Sequence, residues 1–185
     1  MQRQIKKNKS NITKKFLALL INIQKKIKLN LFDKGGINVR AVVTRVKKAS
    51  VAINGKINGQ IEQGFLILLG IGPADTQKEV VKLADRVCGT RVFEDENGKM
   101  NLNLETVGGD LLIVSQFTLF ADLKSRRPSF SGAAKPELAR TLYEKFIKEC
   151  VARGFHVEHG EFGADMQVAS INDGPVTLLF DTDTL

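Results

Sequence analysis

The sequence predicts an α+β domain in which a mixed, strongly curved or barrel-like β-sheet carries two main helices, preceded by a basic N-terminal extension. Three observations carry that expectation. Period-two and continuous apolar runs recur at short intervals, only two stretches repeat apolar residues every three to four positions, and Lys and Arg crowd the first thirty-nine residues.

The first strand is expected at Arg40–Ile53, where Ala41, Val43 and Arg45 alternate with Val42, Thr44 and Val46 and apolar residues resume at Val51 and Ile53. Asn54-Gly55 suits a tight hairpin whose central residues need positive φ, so Lys56–Ile61 should return antiparallel. Phe65–Leu69, uninterrupted between Gly64 and Gly70, reads as a strand covered on both faces. A helix follows, capped by Asp75 or Thr76, with Val80, Val81, Leu83, Ala84, Val87 and Cys88 on helical spacing and a stop at Gly89. Arg91–Phe93 and Asn101–Leu104 are predicted short strands around the turn Asp95-Glu96-Asn97-Gly98, and Asp110–Phe120 is the longest apolar strand. Residues 121–135 form a polar loop of a length usually kept for function. Pro136–Arg153 is the second helix, with Leu138, Leu142, Phe146 and Ile147 on one stripe and Gly154 closing it. The last strands are expected at Val157–Phe162 and at Asp165–Ile171, the latter paired with Val176–Asp181.

At 185 residues the chain fits one domain, residues 39–185, behind an extension of residues 1–38. Hydrophobic residues make up 43% and charged residues 26%, the balance of a soluble globular protein; 6% aromatics and no Trp disfavour a base-stacking surface. The net charge of +8 would suggest a polyanionic partner, but residues 1–39 hold ten basic residues against Asp33 alone, while residues 40–185 hold 18 basic against 19 acidic. The bulk charge therefore says nothing about what the domain binds.

Within the extension, the apolar run Phe16–Ile23 is too short to span a bilayer, and no small-residue cleavage site follows it. A basic amphipathic helix touching membrane or RNA is one reading. The preferred one is that much of the stretch is not translated: Lys34-Gly35-Gly36 is encodable as AAAGGAGGA, a bacterial ribosome-binding sequence, and Val39 as GTG, an alternative start. The expected location is cytoplasmic, without membrane association.

Cys88 and Cys150 lie in predicted helices with no CxxC or metal spacing, which reads as free buried thiols. His156 and His159 fall on opposite faces of a strand, with Glu158 sharing the face of His156, so no joint metal site is expected, and no cofactor signature occurs. Two segments place polar groups inside apolar strands. Ser115-Gln116-Phe117-Thr118 puts an amide and two hydroxyls where burial costs free energy unless they are bonded, for structural or functional ends alike. Asn172-Asp173-Gly174-Pro175-Val176-Thr177 reads first as a hairpin turn, although the small trans preference of an X–Pro bond lets the fold select a cis Gly-Pro peptide there.

SQFTLFAD (115–122), RRPSF (126–130), ADMQV (164–168) and NDGPVT (172–177), with RAVVTRV at 40–46 and GKMNLN at 98–103, together resemble the motif set of the D-aminoacyl-tRNA deacylases. The resemblance covers nearly all of residues 39–185, and Val39 aligns with the family's initiator Met. It implies a homodimeric hydrolase of the ester of D-aminoacyl-tRNA that needs no metal or other cofactor. It further implies that Gly174 and Pro175 reach the neighbour's pocket as a chirality gate that rejects L-amino acids and passes glycine. Ser115, Gln116, Phe117 and Thr118 would form the catalytic segment.

Two chemistries remain open. Thr118 is the nucleophile, or the backbone N–H groups of Phe117 and Thr118 polarise the ester while the terminal ribose hydroxyl helps activate water; the second is preferred, because no base is evidently placed to activate a hydroxyl. Arg45 would support the Gly-Pro carbonyls or else be a surface cation. Arg126 and Arg127 would meet phosphate, Met166 would line an adenosine pocket, and Asn172 and Thr177 would frame the gate. A nonenzymatic RNA-binding module is the main rival, but Phe117, Phe120 and Tyr143 read as core. A structural dimer with a vestigial pocket is the other.

Overall fold

The computed structural model describes residues 38–185; the expectations for residues 1–37 lie outside the described residues. Strand β1, Arg40–Ile53, organises the domain. Strands β2 (Lys56–Ile61) and β3 (Gly64–Gly70) run antiparallel along it end to end, Ala49 facing Ile61 and Arg40 facing Gly70. The turn between β1 and β2 has positive φ at both Asn54 and Gly55, as the Asn-Gly pair predicts. Strand β6, Asp110–Ser115, joins β3 in parallel, and β7, Val157–His159, joins β6 in parallel. The sheet is therefore mixed.

Its curvature brings β2 towards β7, the two ends of the strand order, where Asn58 Nδ2 donates to the carbonyl of His159 at 2.7 Å. Alternation along the strands divides the core in two. Phe65, Ile67, Leu69, Leu111 and Ile113 pack under the helices, while Leu66, Leu112, Val114, Val46 and Val51 pack inside the curve. Gly64 is required at the start of β3, since a Cβ there would sit 1.9 Å from the carbonyl of Asp110.

Helix α1, Gln77–Cys88, begins at Thr76 with a capping box to Glu79. Helix α2, Pro136–Ala152, begins with Pro at its first position and is followed by Gly154 at φ +91°. Both lie over the same sheet face, where Cys88 and Cys150 are buried free thiols with sulfurs 4.0 Å apart.

Four expectations change. Strand β6 stops at Ser115, and Phe117–Phe120 is a 3-10 turn, because the apolar run continues past the last partner that β3 offers, Leu69. The small hairpin is shorter and shifted, with β4 at Phe93–Glu94 and β5 at Met100–Leu102. Strand β7 ends at His159, after which the chain turns over residues 161–164, Ala164 N–H donating to the carbonyl of Glu161 at 3.2 Å. Finally, Asp165–Ile171 and Val176–Asp181 do not pair with each other. They belong to one strand, β8 (Gln167–Asp181), whose two halves both pair antiparallel with β1. The Gly-Pro segment is an excursion from a continuous strand, not a hairpin turn.

Candidate active site

Between the pairs Thr44–Thr177 and Val46–Asn172, β1 has only Arg45 while β8 has Asp173, Gly174, Pro175 and Val176. The surplus residues leave the ladder as an enlarged bulge. Gly174 and Pro175 are exposed, and the peptide between them is cis. Gly174 has φ +116°, and a Cβ on it would lie 2.8 Å from the Val176 side chain and 3.0 Å from Arg45 Nη2, so only glycine fits.

Arg45 is 4% exposed, which removes the surface-cation alternative. Its Nε donates to the carbonyl of Asp173 at 3.2 Å and lies 3.1 Å from the Asp173 carboxylate. Its Nη1 donates to the carbonyl of Val92, and Nη2 is 3.9 Å from Glu94. The bonded carbonyl is that of the residue before Gly174, not those of Gly174 or Pro175. Thr177 shares a hydroxyl–hydroxyl bond with Thr44 at 3.2 Å, and Asn172 accepts from Ser170 at 2.8 Å. These two flank the bulge.

Elsewhere in the chain, a cavity of about 670 Å³ opens where β6 gives way to the 3-10 turn. Ser115, Gln116 and Phe117 line it with Phe130, Arg140, Tyr143, Phe162 and Met166. Its walls are mainly apolar, as suits a small-molecule or nucleoside site. Tyr143 is buried and its hydroxyl donates towards the carbonyls of Ile113 and Gly160, at 2.9 and 3.2 Å; burial pushes its ionisation above the usual phenol range. Tyr143 therefore stays neutral.

Phe117 is 57% exposed and meets Phe130 edge-on with ring centres 5.2 Å apart, whereas Phe120 and Tyr143 are buried. Phe117 thus departs from the expected core role, because the 3-10 turn rotates it out of the strand pattern into the cavity mouth. Phe130, Arg140 and Phe162 were not among the predicted site residues; only RRPSF pointed to Phe130, and the other two depend on how helix α2 and residues 161–163 meet. Arg126 and Arg127 lie exposed in the loop, away from the cavity lining.

The Thr118 hydroxyl is bonded to the side-chain amide of Gln116, and neither end of a carboxamide takes up a proton at neutral pH. A 3-10 turn leaves its first amides, here Phe117 and Thr118, without acceptors inside it. His156 lies 3.5 Å from Glu158 while the ring of His159 meets the carbonyl of Gly160, so the two histidines diverge as the strand period requires. Gly174 and Pro175 are absent from the cavity lining among the described residues, so one chain does not bring the two predicted halves of the site together.

A family model described as D-Tyr-tRNA(Tyr) deacylase matches residues 42–181. A D-aminoacyl-tRNA deacylase of Desulfatibacillum aliphaticivorans is 56% identical over 145 residues, covering 78% of this chain and 99% of that protein. One from Thermosipho africanus is 53% identical over 145 residues, covering 78% and 97%. A solved structure named c-Myc DNA Unwinding Element Binding Protein superposes with a TM-score of 0.72 at 39% identity, over 76% of this chain and 97% of that one. With the match running from β1 through both the cavity and the bulge of β8, the chain belongs to the D-Tyr-tRNA(Tyr) deacylase family.

Proposed function

We propose that the chain hydrolyses the ester joining a D-amino acid to the 3′ end of tRNA, giving free tRNA and the D-amino acid, and works as a homodimer in the cytoplasm. The observation that carries this reading is the separation of two features: a substrate-sized cavity with no Asp, Glu or His among its described lining residues on one part of the protomer, and an exposed, clamped Gly174-Pro175 excursion on another. Each is half of a site. In the dimer, Gly174 and Pro175 of the partner subunit face the Ser115–Thr118 segment and exclude an L side chain by contact, while glycine, with nothing to exclude, is also cleaved. Exposed apolar residues along β8 support such a pairing, with Val168, Ile171 and Leu179 at 40, 59 and 70% exposure.

Catalysis in this reading runs through the amides of Phe117 and Thr118, which stabilise the oxyanion, while the ribose hydroxyl beside the ester helps activate water. The terminal adenosine occupies the cavity beside Met166, and Arg126 and Arg127 meet phosphates further along the acceptor stem. A DNA-binding reading, suggested by the name of the solved relative, finds no support in a domain of 18 basic and 19 acidic residues.

Deacylation of matched D- and L-tyrosyl-tRNA tests the reading. Turnover of the D ester with the L ester spared is expected; similar rates for both would sink the gate. Mixing chains tests the sharing. A Gly174→Ala chain alone should lose the preference for the D ester and a chain whose cavity is filled by Ala139→Trp should be inactive, whereas the mixed dimer should regain the preference, since its one working cavity then faces an intact gate. Sites contained within single chains would recover nothing.

A further inference from the structure

The 3-10 turn that presents Phe117 and Thr118 is a single short turn of four residues. At its ends, Leu119 N–H donates to the carbonyl of Gln116 at 3.3 Å and Ala121 N–H to that of Thr118 at 3.1 Å. Short 3-10 turns have poorer hydrogen-bond geometry than α-helices, so such a turn takes its orientation from its surroundings. One restraint is a floor. A Cβ on Gly70 would stand 3.0–3.1 Å from the Gln116 carbonyl, the Leu119 Cβ and the Phe120 ring, and one on Gly72 would stand 3.2 Å from the Phe120 ring, so the turn rests on bare backbone at the end of β3.

The other restraint is Arg40, the first residue of β1. Its Nη1 donates to the carbonyl of Leu119 at 3.1 Å, its Nε donates to the Asp181 carboxylate at 2.9 Å, and the guanidinium carbon lies 4.7 Å above the Phe120 ring. Arg40 and Asp181 face each other in the β1–β8 ladder, so the pair belongs to the sheet, and the guanidinium reaches the turn through its Nη1 bond and its face over Phe120. A planar fork fixed on one edge by a carboxylate aims its other edge in one direction, which the flexible ammonium of Lys does not reproduce.

We infer that Arg40, oriented by Asp181, is a positioning residue for ester hydrolysis: by holding the Leu119 carbonyl, part of the 119–120 peptide, and stacking on Phe120, it anchors the far end of the turn and through it the direction of the Phe117 and Thr118 amides. This rests on the amide-assisted mechanism proposed above. Arg40 touches no substrate. Its loss misaims donors that act on the transition state more than on the bound ester, so kcat falls while KM stays nearly constant.

The test uses Arg40→Met, Arg40→Lys and Asp181→Asn in the full chain, with D-tyrosyl-tRNA as substrate and hydrogen exchange of residues 116–121 as a second readout. For Arg40→Met we expect a loss of kcat of about 10- to 100-fold with KM within about twofold, as misplacement of donors by a fraction of an ångström to an ångström gives. Arg40→Lys and Asp181→Asn should fall between that variant and the wild type. Exchange of the 116–121 amides should quicken in Arg40→Met while β3 and β6 keep their protection.

Unchanged kcat in a folded Arg40→Met protein, or a loss confined to KM, overturns the inference. Should Arg40→Met fail to fold, Arg40→Lys and Asp181→Asn decide by the same two readouts. If wild-type protein fails to cleave D-tyrosyl-tRNA, the functional proposal fails instead, and the exchange measurement alone judges whether Arg40 holds the turn: quickened exchange sustains it, and unchanged exchange overturns it.

Discussion

Arg45 and Asp173 make a double contact across the β1–β8 ladder: the guanidinium Nε donates to the Asp173 carbonyl at 3.2 Å and sits 3.1 Å from its carboxylate. One buried side chain thereby holds both the backbone and the charge of the residue that opens the bulge.

Arg45→Lys should therefore cost about 2–4 kcal/mol, because a single ammonium replaces a fork that serves Asp173, Val92 and Glu94 from a buried position. Urea denaturation measures the loss. In the folded variant the ratio of D- to L-tyrosyl-tRNA cleavage should drop as the bulge loosens. An unaltered midpoint together with an unaltered ratio would show the clamp to be idle.

Thr118→Ala should keep a substantial fraction of wild-type kcat, since the amides of residues 117 and 118 survive the change. Removing the ribose 2′ hydroxyl of the terminal adenosine should be the more damaging alteration. Single-turnover rates with both substrates on both proteins check this. Complete loss of activity in a well-folded Thr118→Ala protein would instead make the hydroxyl a nucleophile.

Asp75 is 4% exposed, and burial raises its carboxyl from 3.8 to about 6. One oxygen accepts from the Gly72 amide at 2.6 Å, which offsets only part of the cost of burial. The raised folded value means that this group's stabilising contribution is fully present below about pH 4 and is lost as the pH rises through about 6. Asp75→Asn, a stand-in for the protonated form, should gain about 1–3 kcal/mol over wild type at pH 8 and little at pH 4. Melting curves at the two pH values measure it; an equal effect at both would place the burial cost elsewhere.

Residues 39–185 remain our proposal for the working polypeptide, with Val39 as a start codon. Mass spectrometry of protein from its native source should find an N-terminal peptide beginning at position 39 as Met or just after it. A tryptic peptide crossing from Ile37 into residues 39 and 40 would end that idea.

The elements that were legible in the sequence are those whose cause is local. The ends of β1 and β2 coincide with expectation because Asn54-Gly55 sets the hairpin, and the start of α1 because Thr76 and Glu79 bond each other. Asp110–Phe120 misleads, since nothing within that apolar run says where its neighbour Leu69 ceases to offer a partner. The same holds for β8. Asp-Gly-Pro is a turn signal by composition, and only a 14-residue β1 on the other side makes one strand of its two flanks. Of the residues lining the cavity, Ser115, Gln116, Phe117 and Met166 are ones the family resemblance singles out, whereas Arg140 and Phe162 enter it by tertiary packing alone.

The pairing of β1 with β8 joins the first strand of the domain to the last. During synthesis one flank of β1 can be covered almost at once by β2 and β3, but the opposite flank stays bare until more than a hundred further residues have left the ribosome. A chain cut short before residue 167 would thus expose a long row of unpaired main-chain groups, a template for sticking to its neighbours, so ribosomes that stall late in this message would release aggregating products rather than merely inactive ones.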